Sequence, residues 1–89
     1  MTKTKPVVVT IGETDFEFSP TVNDFNNYVN EMMPDNKVAP QHTYLTRTIK
    51  PEQKEQLVEL LSSVPGLVTD VFSEVSKGAK GGIKVTLKN

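Results

Sequence analysis

The chain has no cysteine and a single histidine, His42. Lack of cysteine excludes disulfides, thiolate nucleophiles and Cys-based metal sites, and suits a cytosolic protein. No apolar run approaches the ~20 residues of a membrane span. The segment Met1-Thr2-Lys3-Thr4-Lys5-Pro6 lacks the apolar stretch of a signal peptide. Net charge is only −1, whereas a general nucleic-acid binder carries surplus Lys and Arg. At 89 residues, the length is that of one domain. Leu, Ile, Val and Phe number 25, which is above the roughly 20% below which chains stay disordered. One small core is therefore expected, in a single α+β domain over residues 1–89 with 1–5 and 88–89 frayed.

The small net charge conceals a segregation. No Lys or Arg occurs from Pro6 to Asn36, a span that carries Glu13, Asp15, Glu17, Asp24, Glu31 and Asp35. The last thirteen residues carry Lys77, Lys80, Lys84 and Lys88 and no acid. Either the two regions are neighbours that screen each other, or each is a patch that steers a partner.

Pro6–Ile11 is rich in β-branched residues and reads as a strand. Gly12 to Asp15 has turn chemistry, and Asp15-Phe16-Glu17-Phe18 alternates as a second strand. Pairing Ile11 with Phe16 places Val7, Val9, Ile11, Phe16 and Phe18 on one face, opposite Val8, Thr10, Asp15 and Glu17. Ser19-Pro20 signals a helix start. From there to Met33, Val22, Phe25, Val29 and Met32, with Tyr28 and Met33, fill one apolar arc. Asn23, Asn26, Asn27 and Asn30 form the next arc, either a solvated flank or a hydrogen-bonding face. Asn is a poor helix former, so the helix depends on burial of its apolar side.

Residues 34–40 read as a loop. The segment 42–49 has β-branched residues that suit a strand and a spacing of Leu45, Thr48 and Ile49 that permits a short helix, the preferred reading. Pro51 opens a further helix to about Ser63, with Leu57, Leu60, Leu61 and Val64 inward. Pro65-Gly66 breaks it. A last helix follows, with Leu67, Val68, Val71, Phe72 and Val75 inward, and it ends near Lys77-Gly78. Ile83-Lys84-Val85-Thr86-Leu87-Lys88 alternates strictly and predicts a half-buried strand completing the sheet. The expected fold is α+β: a small antiparallel sheet, made of the N-terminal hairpin plus the C-terminal strand, packed with three to four helices.

Signals for chemistry are weak. His42 sits near no serine in a nucleophile elbow, so a hydrolase has little support. Glu13-x-Asp15-x-Glu17 lacks the twelve-residue loop, the glycine and the closing Glu of a Ca²⁺ site. Lys77-Gly78-Ala79-Lys80-Gly81-Gly82 follows a helix and precedes a strand, the reverse of a phosphate loop. The last helix has no Lys or Arg before Lys77 and presents Asp70 and Glu74, which excludes a DNA-reading helix. No catalytic residue, cofactor or metal site is expected.

Thr43-Tyr44-Leu45-Thr46-Arg47-Thr48-Ile49-Lys50-Pro51-Glu52, then Leu57-Val58-Glu59-Leu60-Leu61 and Pro65-Gly66-Leu67-Val68, resemble the small tail assembly chaperones of long-tailed bacteriophages. The resemblance spans roughly residues 5–78. It implies a non-enzymatic protein of the bacterial host cytoplasm, absent from the mature virion. Such a protein binds the tape-measure protein, keeps it soluble, and helps to recruit tail-tube subunits. In many members a ribosomal frameshift yields a longer form, for which the Gly/Lys-rich tail offers a place. The family does not imply the final strand, which rests on its pattern alone. A chaperone of apolar helices needs an amphipathic groove. The candidate partner-binding residues are Tyr28, Met32 and Met33 on the first helix with Tyr44, Leu45, Arg47 and Ile49 on the next segment. Methionine adapts to varied partners. The alternative is that all six, Tyr28, Met32, Met33, Tyr44, Leu45 and Ile49, are plain core. Arg47 would meet an acidic partner group or pair with Glu52 or Glu55. A phage-encoded regulatory or inhibitory binding module is the rival reading, and self-association stays open. Neither nucleic acid nor membrane is an expected partner.

Overall fold

A computed structural model describes residues 6–81, 83 and 85–88. The hairpin consists of β1 (Val7–Ile11) and β2 (Thr14–Phe18). Four helices follow: α1 (Val22–Glu31), α2 (Val38–Thr48), α3 (Lys54–Ser63) and α4 (Leu67–Lys80), with a 3-10 turn at Pro51–Gln53 between α2 and α3. The fold class is α+β, as the patterning implies.

The hairpin register is Val7↔Phe18, Val9↔Phe16 and Ile11↔Thr14. It lies two residues from the expected pairing of Ile11 with Phe16. A shift of two preserves the faces, so Phe16 and Phe18 are buried as expected. The shift comes from a two-residue turn in which Gly12 takes φ +65°, a conformation that favours glycine at the first turn position.

Three helix boundaries also moved. The cap of α1 is Thr21, not Ser19. Thr21 Oγ1 accepts from the Asp24 N–H at 3.1 Å, and Asp24 Oδ2 accepts from the Thr21 N–H at 3.0 Å. That reciprocal pair satisfies two otherwise orphaned donors. The Ser19 N–H is already committed to the Thr48 carbonyl. The second boundary is α2, a helix as preferred for 42–49, but it starts at Val38 and absorbs Pro40, which a first turn tolerates. Lastly, α4 runs past Gly78 to Lys80 and ends on Gly81 at φ +68°. Gly78 lies within this helix where β1 presses on it, and a Cβ there would lie 2.6 Å from Val7 Cγ1, so the position has no room for a side chain.

The core joins the hairpin's inner face to all four helices through Phe16, Phe18, Tyr28, Tyr44, Leu45, Ile49, Leu57, Leu61, Val68, Val71, Phe72 and Val75. At its centre Phe72 lies 4.5 Å from Tyr28 and 5.1 Å from Tyr44, ring centre to ring centre. These distances fall in the range of favourable aromatic pairs.

The expected C-terminal strand is not found among the described residues. The sheet has two strands, and Ile83, Val85, Thr86, Leu87 and Lys88 are exposed and outside it. Lys84 lies outside the described residues. A place beside β2 is closed because that edge is already taken. Phe18 bridges to Ile49, and the Lys50 N–H donates to the Glu17 carbonyl at 2.9 Å. Beyond them the Gln53 side-chain amide behaves like a peptide group. Its Oε1 accepts from the Glu17 N–H at 2.9 Å and its Nε2 donates to the Asp15 carbonyl at 2.8 Å. The end of α2 and the turn after it thus do the work expected of a third strand. Among the described residues no ion pair joins the basic run to Asp15 or Glu17, and Lys77 pairs at 3.3 Å with Glu74 of its own helix.

Candidate protein-binding face on the first helix

The apolar arc of α1 is wider than the surface that covers it. Tyr28 turns inward onto α2 and α4, and Phe25 leans on Tyr28 with its ring centre 5.7 Å away. The rest of the arc faces solvent: Val22 is 69%, Phe25 43%, Val29 45% and Met32 39% exposed. Ten residues of helix separate Val22 from Met32, a stripe of about 15 Å. Met33, also exposed, extends it into the following loop. Scattered apolar side chains on a surface are ordinary, but a contiguous stripe marks an interaction site.

At its N-terminal end the stripe opens into a groove of about 470 Å³ between α1 and the last turns of α4. Pro20, Val22, Phe25 and Tyr44 form its apolar side, and Ser76, Ala79 and Lys80 the opposite wall. The asparagine arc beside the stripe is a largely solvated flank, with only Asn27 half-buried.

The sequence-derived candidates divide. Met32 and Met33 are on the open surface. Leu45 and Ile49 are core and cannot reach a partner while the fold is closed. Their burial follows from the bridge that α2's end makes with β2, which turns that end inward. Tyr28 and Tyr44 support the face from beneath, and Tyr44 shows its edge to the groove. The Tyr28 hydroxyl donates to Met32 Sδ at 3.3 Å and holds that side chain along the stripe. Arg47 pairs with Glu31 at 4.0 Å rather than with Glu52 or Glu55. Both partners are half-exposed, so the pair contributes at most about 1 kcal/mol. The periodicity singled out Val22, Phe25 and Val29 but assigned them to the core. Periodicity reports an apolar face without reporting what covers it.

Burial pushes the Tyr44 hydroxyl above its ordinary value of 10.0, and the Asp24 carboxylate adds to the rise. The fold therefore favours the neutral phenol. Its contribution to stability is complete below pH 10 and lost as pH rises through the raised value. Urea midpoints should fall above pH 10, and Tyr44→Phe should flatten part of that fall. Equal alkaline slopes for the two proteins would remove this account.

Among the described residues no cluster of His, Asp or Glu could hold a metal ion, and no helix is long and apolar enough to cross a membrane. His42 is half-buried within α2.

A family model described as phage tail assembly chaperone matches residues 7–89. The chain is also 30% identical over 83 residues to an uncharacterised 11.3 kDa protein in the lys 3′ region of Haemophilus phage HP1 (strain HP1c1), covering 93% of this chain and 80% of that one. No solved structure matches. The match over nearly the whole fold places this chain in the phage tail assembly chaperone family.

Proposed function

We propose that the protein is a non-enzymatic chaperone of tail morphogenesis, acting in the host cytoplasm. It binds the tape-measure protein, tail-tube subunits or both through the exposed stripe of α1. The observation that carries this reading is the row Val22, Phe25, Val29 and Met32, left open on a helix otherwise tied into the core by Tyr28. An amphipathic helix of the partner would lay its own apolar face along this row, and the groove beside Phe25 would take one large anchoring side chain. Two methionines at the far end, Met32 and Met33, let the same surface accept helices of differing sequence. Family membership supports a partner drawn from the growing tail.

Co-expression with the tape-measure protein of the same phage tests the reading. The wild-type chain should keep that protein soluble and be recovered with it on pull-down. Val22→Glu with Val29→Glu should abolish both effects while leaving the circular dichroism spectrum unchanged, since both side chains are exposed. A tape-measure protein that stays insoluble beside the wild-type chain, with no complex recovered, defeats the proposal.

A further inference from the structure

The two edges of the hairpin differ. On the β2 side, the Glu17 N–H and C=O and the Asp15 C=O all point away from β1, toward Gln53 and Lys50. In an antiparallel ladder, residues opposite one another point the same way relative to the pair, both inward or both outward. Val8 is opposite Glu17 and Thr10 is opposite Asp15. The backbone N–H and C=O groups of Val8 and Thr10 therefore point out of the other edge. Among the described residues no strand pairs with that edge. Beside it runs an open groove lined by Val7–Thr10 and by Glu74, Lys77 and Gly78 of α4.

The same chain carries a segment fit for that edge. Ile83, Val85 and Leu87 alternate with polar residues and are 71%, 84% and 85% exposed. Ile83–Leu87 has the five-residue length of β1. We propose that residues 83–87 of a second copy add to β1 as an antiparallel strand. Ile83, Val85 and Leu87 then lie on the side of Val7, Val9 and Ile11, over the groove, and Thr86 lies on the side of Val8 and Thr10. The chain's own tail is not the occupant. It leaves α4 at the Val7 end of β1, where Gly78 packs, and would have to reverse at once and run parallel, the less stable pairing. Charge favours the exchange between copies. The span Pro6–Asn36 holds six acids and no Lys or Arg, and the last thirteen residues hold four lysines and no acid.

The test uses the full chain. Sedimentation velocity over rising concentration should show self-association. Val8→Pro removes an outward donor from β1 without touching its bonds to β2, and Thr86→Pro removes from the tail a donor that faces Val8 or Thr10. Each variant alone should raise the dissociation constant at least about tenfold, with circular dichroism unchanged. Mixed together, the two should recover a 1:1 complex, because the first still supplies a tail and the second an edge. The idea is overturned by a wild-type chain that stays monomeric at the highest concentration, by variants that associate like wild type, or by folded variants whose mixture recovers nothing. Association lost only in the Val22→Glu, Val29→Glu chain would also overturn it and assign self-association to the face on α1.

Discussion

Phe72→Ala is expected to cost about 3–5 kcal/mol, the range for deleting a buried aromatic side chain. Phe72 projects from α4 between Tyr28 of α1 and Tyr44 of α2, at ring separations of 4.5 and 5.1 Å. Its removal leaves two large rings without their common neighbour. The residues around it are already locked in by the core, so collapse would be partial and a cavity would remain. At about 0.05–0.15 kcal/mol per residue, a domain of this size has little stability in reserve. A fall in Tm of at least about 12 °C follows for a chain of under a hundred residues. Phe25→Ala is the control. Its ring lies on the same cluster, 5.7 Å from Tyr28 and 6.5 Å from Tyr44, but is 43% exposed. It should cost no more than about 1.5 kcal/mol by the same reasoning. Urea denaturation of the three proteins checks the ordering. Equal losses would mean that the cluster draws its stability from the surface side.

Gln53→Ala should cost about 1–3 kcal/mol, because it strips the half-buried Glu17 N–H of its acceptor and the Asp15 carbonyl of a donor. Gln53→Glu separates the two bonds. The introduced carboxylate still accepts from the Glu17 N–H, but its second oxygen meets the Asp15 carbonyl where a donor stood. It also adds charge beside Asp15 and Glu17. At neutral pH the loss should match or exceed that of alanine. A protonated carboxyl regains the donor, so the neutral form is favoured in the fold. The difference from wild type should therefore shrink as pH falls toward about 4.3, the ordinary glutamate value, and change no further below it. Denaturation midpoints at pH 7 and pH 4 measure this. A Gln53→Glu chain as stable as wild type at pH 7 would show that the amide is dispensable to the sheet edge.

Gln53 also shows where the sequence stops being legible. Local patterns located the hairpin, its inner face, the Pro-led helix and the Pro-Gly break, because each is set by neighbours a few residues apart. Nothing local says that a glutamine in a turn will act as a peptide group for a strand 36 residues earlier in the chain. The third strand was expected from the alternation of Ile83, Val85 and Leu87 in ignorance of that arrangement. The proposed binding face was half legible for a related reason. Tyr28 lies on α1 and Met32 caps its end as their spacing requires, while Met33 falls in the loop beyond. Leu45 and Ile49 have the same apolar character, but the bridge to β2 turns them inward. Which apolar residues remain outside is decided by long-range packing, and Val22, Phe25 and Val29 carry no local mark of it.

The contact of Gly78 with Val7 joins positions 71 residues apart in the chain. The strand β1 is thus covered by a helix that is synthesised well after it. At about 5–20 residues per second, some 4–14 s of synthesis separate the two. Through that interval the helix that closes over the Val7 end of the hairpin does not yet exist. A protein placed in a family that attends other proteins during assembly therefore passes through its own period of incomplete cover each time it is synthesised.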